Sequence, residues 1–456
     1  MNPAGVCQQP QLDPLHVQFS AAQKELAIRI AKAGLLRDGH EGDRLIASPV
    51  IADEATALDL HRASVEIIAI VLSLADRLFN SSLEALGRWC GFSEENLRYL
   101  LIGPDLSCSV AKVLARVDSY RVDRGWKLLE INLGTNVGGQ QLDWFHRPYL
   151  RQVAQLAGDT AYFDSTELWA GFTAKLFRAA AGTCGHIAMV EGEAGLGDAD
   201  NVRFMKYLSE ALNRASGIRV SICGPRDLVR SGAELMYDGE PVDVIYRVFN
   251  FADVKANPAH YSAMFDAVRD GVSIMPMGLH YKLFGNKAIF ALLSDPQFRA
   301  GFSNTEAGLL DRYIPRTRRL DDAVLGEARH LRETLVLKPA TGHGGKGVTV
   351  GAECSPGEWT EHLAAALASG KTYIVQERVD VPSANLALLT AGSETTFMQR
   401  CRLLHGSFSF GGEFGGLMVR AQPEGEGNLV INYSRGAYMG PALVRSRGGS
   451  ARKEMQ

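Results

Sequence analysis

Leu335-Val-Leu-Lys338-Pro339-Ala340-Thr341-Gly342-His343-Gly344-Gly345-Lys346-Gly347-Val-Thr-Val350 decides how the rest of this chain is read. Two short apolar runs of β type flank a loop with four glycines and a threonine, and Lys338 stands just before that loop. Glycines with free φ let successive backbone N–H groups turn toward one anion, and a nearby lysine adds charge. The spacing Gly342-x-Gly344-x-x-Gly347 also occurs in dinucleotide folds, but there it must open a helix. Here the β-branched run Gly347-Val-Thr-Val350 predicts a second strand instead. A P-loop needs Gly at 340 and Ser or Thr at 347, where this chain has Ala340 and Gly347. A protein kinase carries its lysine after the loop and needs H-R-D and D-F-G motifs, neither of which is present. What remains is a glycine-rich β-hairpin lid for a polyphosphate. Its candidate contacts are Lys338, Thr341, Gly342, Gly344, Gly345, Lys346 and Gly347; an ordinary glycine hairpin reads the same on this segment alone.

A chain of 456 residues exceeds the size at which one core usually stops growing, so several lobes are expected. It is 46% hydrophobic and 22% charged, the composition of a globular protein. Lys plus Arg number 48 against 51 for Asp plus Glu, a net charge of −3 with no basic bias toward nucleic acid. Seven scattered cysteines (Cys7, Cys90, Cys108, Cys184, Cys223, Cys354 and Cys401) never fall in C-x-x-C spacing, which speaks against a disulfide frame or zinc site and fits a reducing cytoplasm. The first residues show no charged and then apolar leader. The longest apolar run, Ile67 to Ala75, is too short to span a bilayer and predicts a buried helix.

Six stretches follow from the patterning. Residues 1–115 are expected to be mainly helical: Val65, Ile68, Leu72 and Ala75 share one helical face, and Ser93-Glu-Glu starts a further helix. Residues 116–150 hold a β-hairpin whose strands are Val110 to Asp123 and Trp126 to Asn132. Residues 151–299 form an α/β lobe with strands at 187–190, 218–222, 242–246 and 272–275. Residues 300–380 carry the lid, residues 381–445 are β-rich, and the polar tail 446–456 is expected to be disordered.

The hairpin carries a second constellation, Tyr120-Arg121-Val-Asp123-Arg-Gly-Trp-Lys-Leu-Leu-Glu130-Ile-Asn132. Residues two apart on a strand share a face, so Arg121 goes with Asp123 and Glu130 with Asn132. Converging across the turn, Asp123, Glu130 and Asn132 form a hard-oxygen set suited to magnesium, which keeps phosphate oxygens in its shell. Arg121 beside them could stabilise a transferring phosphoryl group. An exposed hairpin face with ion pairs would present the same residues. Arg247 ends a predicted strand where α/β lobes place ligand groups, although an ion pair accounts for it equally. His280, His343 and His405 lack metal spacing and are read as structural or lid residues.

Together the lid and the acid-then-Glu-x-Asn pattern resemble the ATP-grasp superfamily. The segment Tyr373-Ile-Val-Gln376-Glu377-Arg-Val379 is similar to the hinge whose backbone meets adenine, with Asp380 placed to accept from ribose. Arg402, Arg420 and the run Asn432-Tyr-Ser434-Arg435-Gly436 resemble the family's arginines and N-x-S-R-G element, and Asn286-Lys287-Ala288 resembles its helix entry. The resemblance implies catalytic roles for Arg121, Arg420 and Arg435, substrate contacts at Arg247, Arg402 and Asn432, and nucleotide contact at Lys287. In the usual order the acid and Glu-x-Asn follow N-x-S-R-G; here they lie near residue 125, as a circular permutation would leave them. That arrangement is similar to glutathionylspermidine synthetase and eukaryotic-type glutathione synthetase, although Glu130-x-Asn132 continues Leu-Gly-Thr-Asn rather than Ala-Asp-Thr-Pro.

The resemblance implies an α/β (α+β) permuted ATP-grasp fold with an N-terminal helical region, using ATP and magnesium. It also implies a carboxylate–amine or carboxylate–thiol ligase acting on small molecules, amino acids or peptides through an acyl phosphate. Nucleic acid and membrane are not expected as partners, and a homodimer stays open. A small-molecule kinase or a silent ATP-binding scaffold remain the alternatives. If the permutation holds, Glu130 and Lys338 flank one nucleotide within about 10–12 Å.

Overall fold

A computed structural model describes residues 44–47, 50–123, 125–139, 160–161, 163, 165–182, 184–342, 344–390, 396–425 and 429–445. The helical expectation for 1–43 and the disordered tail at 446–456 lie outside these residues, as do His343 and all of 140–150.

The core is a mixed sheet whose described strands run, in spatial order, Ser383–Thr390, Arg44–Ile46, Tyr438–Arg445, Glu413–Pro423, Phe397–Phe410, Leu114–Val122 and Gly125–Leu133. The long strand Phe397–Phe410 is shared. Its first half pairs antiparallel with Ser383–Thr390, and its second half pairs with the hairpin strand Leu114–Val122. Strand polarity explains which faces meet: Val117, Val419, Leu403 and Ala421 are buried on the side covered by helix Glu54–Leu72. That helix starts where the Asp53 carboxylate accepts from the Thr56 N–H, satisfying an otherwise orphaned donor. Ile68 and Leu72 face the core as the spacing predicts, and Ser93 caps Glu94–Leu100. The N-terminal region is not wholly helical, however. Arg44–Ile46 and Val50–Asp53 pair parallel with Tyr438–Arg445, so β-branched and aliphatic residues before the first described helix complete the sheet.

Beside this sheet, Val244–Arg247, His186–Val190 and Arg219–Cys223 form a parallel three-stranded sheet flanked by helices Ser165–Ala181 and Ala199–Ser216. The expected fourth strand at 272–275 is reduced to a single bridge between Ile274 and Val244. The Ser273 hydroxyl donates to the Val242 carbonyl at 2.7 Å, and Pro276 follows directly, so the ladder cannot extend.

The lid is built on a separate antiparallel sheet in the order Thr317–Arg319, Tyr373–Glu377, Leu335–Pro339 and Thr349–Val350. Leu337, Val375, Leu363 and Trp359 make its own small core, and the Trp359 indole donates to the Ala328 carbonyl at 2.9 Å. Thr349–Val350 pairs with Val336 and Leu337, so the glycine loop joins two strands.

Candidate active site

Between the lid sheet and the central sheet lies a cleft of about 330 Å³. Strand Leu335–Pro339 brings Lys338 into it, strand Gly125–Leu133 brings Glu130, and the start of helix Ile289–Ser294 brings Lys287. These three residues are far apart in sequence, and Lys287 joins the hairpin strand to the lid. Its ammonium donates to Glu130 Oε1 at 2.8 Å and to the lid carbonyl of Gly342 at 3.0 Å. Lys338 donates to Gln376 Oε1 at 2.6 Å, and the other end of that buried amide donates to the Thr317 hydroxyl at 3.0 Å. The two bonds fix which way the Gln376 amide points. Burial pushes the Lys338 ammonium down to about 8, Glu130 pulling the other way and Lys287 adding to the fall.

The acid facing Glu130 is Asp118, a residue outside the expected set. In the hairpin ladder Asp118 stands opposite Glu130 and Arg116 opposite Asn132. Asp118 is buried and receives both Arg116 Nε at 2.8 Å and Nη2 at 3.0 Å, with Arg420 Nη1 at 3.4 Å. Burial opposes its charge, but Arg116 and Arg420 outweigh that and hold the carboxyl below its ordinary range. Arg116 is itself anchored by the carbonyls of Val137 and Gly138.

Arg121 and Asp123 do not reach the cleft, which corrects the expected roles of both. Arg121 lies on the opposite face of its strand from Asp118, because the two are an odd number of residues apart. Its guanidinium covers the Trp126 ring at 5.2 Å, and Asp123 is exposed in the turn. Arg435 is also placed elsewhere. It donates to the lid carbonyl of Gly345 at 2.8 Å while the Ser434 hydroxyl donates to the Gly344 carbonyl at 3.1 Å, so this element grips the lid from outside the cleft.

The remaining expected residues divide. Gly342, Gly345, Lys346, Gln376, Glu377, Val379, Asp380, Arg402, Arg420 and Asn432 line the cleft, whereas Thr341, Gly344 and Gly347 shape the loop without lining it. Gly342 has φ +131° and Gly345 +68°, conformations that L side chains rarely adopt, so the loop requires glycine at both. Asp380 is exposed and pairs with Arg378 at 3.0 Å. Arg247 lies buried in the neighbouring lobe. Asn132 donates from its amide to the Arg116 carbonyl at 3.2 Å, beside the carboxylates.

The oxygen set Asp118, Glu130 and Asn132 suits magnesium in kind, since that ion takes one or two carboxylates and completes its shell with phosphate and water. Among the described residues no group of three or more His, Cys, Asp or Glu could hold a metal by itself. Of the two carboxylates, Glu130 is the more available: its side chain is 28% exposed, against 7% for Asp118 with its arginines. Among the described residues no helix is long and apolar enough to cross a membrane.

No sequence-family description and no curated protein matches the chain. Solved structures do. A glutathione synthetase-like effector from Globodera pallida, in its apo form, superposes with a TM-score of 0.59 at 14% identity, over 88% of this chain and 94% of that one. A protein assigned as gamma-glutamylcysteine synthetase from Methylobacillus flagellatus gives 0.44 at 12% identity, over 87% of this chain and 89% of the other. A D-alanyl-alanine synthetase A from Vibrio cholerae gives 0.30 at 13% identity, over 60% and 78%. The first of these likenesses carries the assignment, together with the lid, hinge and hairpin set around one cleft: the chain has the ATP-grasp fold.

Proposed function

We propose that this chain is an ATP-dependent ligase that joins a small-molecule, amino-acid or peptide carboxylate to an amine or thiol, releasing ADP and phosphate. The carboxylate oxygen attacks the γ-phosphorus, the bond to the β,γ-bridging oxygen breaks, and ADP leaves. The acceptor nitrogen or sulfur then attacks the acyl carbon of the acyl phosphate, the carbon–oxygen bond breaks, phosphate leaves, and the acceptor loses a proton. The observation that supports this reading most is the meeting of Glu130, Lys287 and Lys338 in one cleft beneath a glycine lid.

In this reading Lys287 and Lys338 exchange their present contacts for phosphate oxygens, Lys346 adds its charge from the lid, and the strand Tyr373–Glu377 with Val379 borders the base. Asp380 stands where ribose hydroxyls would fall. Glu130 and Asn132, with Asp118 opposite, would hold magnesium, which supplies charge neutralisation at the phosphates when bound. Arg420, oriented by Asp118, faces the transferring group and takes the role expected of Arg121. Lid closure keeps water from the acyl phosphate. We read the order of the pieces as a circular permutation, since the hairpin 114–133 precedes the lid in sequence but is hydrogen-bonded to the strand 397–410 that follows it.

Magnesium-dependent ADP release measured over a panel of acids, with and without amines and thiols, tests the proposal. ADP formed together with an amide or thioester supports it. A phosphorylated acid as the final product would make the chain a kinase, and bound nucleotide with no acid-dependent ADP would leave the scaffold reading.

A further inference from the structure

The glycine lid is held by more than the cleft beneath it. Gly344 and Gly345 are both left-handed, with φ of +70° and +68°, and their carbonyls accept from residues outside the cleft. Arg435 Nη2 reaches Gly345 at 2.8 Å, and the Ser434 hydroxyl reaches Gly344 at 3.1 Å. A third contact lies past the lid's return strand Thr349–Val350, where Glu353 Oε1 accepts the Leu429 N–H at 2.6 Å. Residues 429–435 thus meet the lid hairpin at its tip and again beyond its second strand. None of Glu353, Ser434 and Arg435 lines the cleft.

Such a segment can hold a lid only if it is itself held. The Asn432 side-chain oxygen accepts the Ser434 N–H at 3.0 Å, and its carbonyl accepts the Arg435 and Ala437 N–H groups at 3.0 and 3.1 Å. Ile431 and Ala437, on either side of this turn, are buried with Leu404. From strand Arg44–Ile46 of the central sheet, Arg44 Nη2 donates to the Tyr433 carbonyl at 2.9 Å, and its guanidinium lies 4.4 Å from the centre of the Tyr433 ring. The contacts therefore run from the central sheet through Tyr433 to the lid. The lid fits them closely: a Cβ on Gly345 would stand 3.0 Å from Val430 Cγ1 and 3.6 Å from Arg435 Nε. The three grips differ in strength. The Ser434 hydroxyl has one hydrogen, and it lies within reach of Asn432 Oδ1 at 2.9 Å as well as of Gly344, so Arg435 and Glu353 hold more firmly.

From the cleft side, Lys287 donates to the Gly342 carbonyl, and in the ligase reading a phosphate takes that ammonium away. The outer contacts survive the exchange, because they lie outside the space a ligand fills. A hydrogen bond with a charged partner shifts an equilibrium by about tenfold or more, and a neutral one by about twofold to tenfold. Acting in parallel, the three favour a closed lid over an empty cleft. We propose that residues 429–435 form a strap that holds the lid shut before nucleotide arrives, with Glu353 and Arg435 as its main positioning residues. Release of the strap then gates both nucleotide entry and ADP departure, the step that limits turnover in many enzymes with lids. The gating rests on the ligase reading; the strap itself does not.

Trypsin reads the strap without any nucleotide, since Lys346 is the one Lys or Arg between Thr341 and Val350. Cleavage after Lys346 in the full chain, followed by mass spectrometry, should be slow in the parent with the cleft empty. It should quicken by about tenfold or more in Arg435→Met and in Glu353→Ala, and by less in Ser434→Ala. Arg435→Lys keeps a charged donor and should recover most of the protection. Cleavage elsewhere in the chain should keep the parent's rate, because the opening is local. Stopped-flow binding of a fluorescent ATP analogue with magnesium then reads the gating. Association and dissociation should both quicken by about fivefold or more in Arg435→Met, with the dissociation constant moving less than either rate. A parent cut after Lys346 as fast as its variants, or an association rate that the variants leave unchanged, overturns the strap as a gate. A parent that protects Lys346 but binds no analogue counts against the ligase reading and leaves the strap in place.

Discussion

Arg116-Val-Asp118 and Arg121-Val-Asp123 are one tripeptide written twice in a single strand and turn, and the fold treats the copies in opposite ways. The first is buried, its arginine forked onto its own aspartate and its aspartate opposite Glu130. The second ends at the surface, its arginine stacked on Trp126 and its aspartate exposed. Composition and local sequence do not separate them. Distance from the turn does: the copy next to the turn pairs with Trp126 and Gly125, and only the copy further back reaches the register of Glu130 and Asn132. Identical side chains acquire a role from the ladder that carries them.

Asp118 and Asp123 should therefore part most sharply in stability. Removing one partner of a buried ion pair costs about 3–5 kcal/mol, so Asp118→Ala should lower the urea midpoint strongly. An exposed turn aspartate is worth within about 0.5 kcal/mol, so Asp123→Ala should match the parent. Equal losses in the two variants would break the contrast. The next effect is on turnover. Glu130→Gln should cut ADP release by on the order of 10²–10³, the scale for one group that stabilises transition-state charge, with unchanged circular dichroism. Lys127→Gln, on the same strand but opposite Tyr120 beside the turn, should leave it unaltered. Near-normal release from Glu130→Gln would remove the hairpin from the chemistry. Third, Lys338→Met should weaken nucleotide binding by about 1.5–3 kcal/mol, the worth of one charged contact, whereas Arg121→Met should leave the dissociation constant within twofold. A matching loss in Arg121→Met would restore the second copy to the site.

The contrast also shows what the sequence allows to be read. The lid was legible because its evidence is local: a lysine, glycines at fixed offsets and β-branched flanks all fall within one hairpin. Glu130, Lys287 and Lys338 each stand out through a short local pattern, and the fold sets all three along one cleft. Asp118 was missed although the signal was there. Across a tight turn the numbers of paired residues keep a constant sum, as in Val122 with Gly125 and Arg121 with Trp126. That sum points from Glu130 back to Val117, and a β-bulge after Asp118 shifts the pairing onto Asp118 itself. The bulge is the part no pattern announces. Arg435 was misplaced for another reason, since its contact with Gly345 joins two separate sheets' loops and exists only in three dimensions.

The smallest expected effect is a pH dependence, and it separates a cation held for phosphate from one held for packing. Lys338 in the folded chain sits at about 8, below the ordinary lysine value near 10.4, because burial disfavours its charge. Between those two values the unfolded chain binds more protons than the folded one. By linkage, Lys338 therefore makes the ligand-free protein gain stability as pH rises from about 8 to about 10. Nucleotide binding should move the other way, because the deprotonated amine has no charge to give a phosphate. From pH 7 to 9 the dissociation constant for ATP should rise by at most about tenfold, the change in protonated fraction for one group at that value. A nucleotide already bound favours the charged form and makes the observed rise smaller. Lys338→Met should flatten the profile, and Arg121→Met should leave it as it is, since the Arg121 charge lies on the far face of the hairpin and persists at these pH values. A profile that stays steep in Lys338→Met would assign the titration to another group in the cleft and strip Lys338 of its phosphate role.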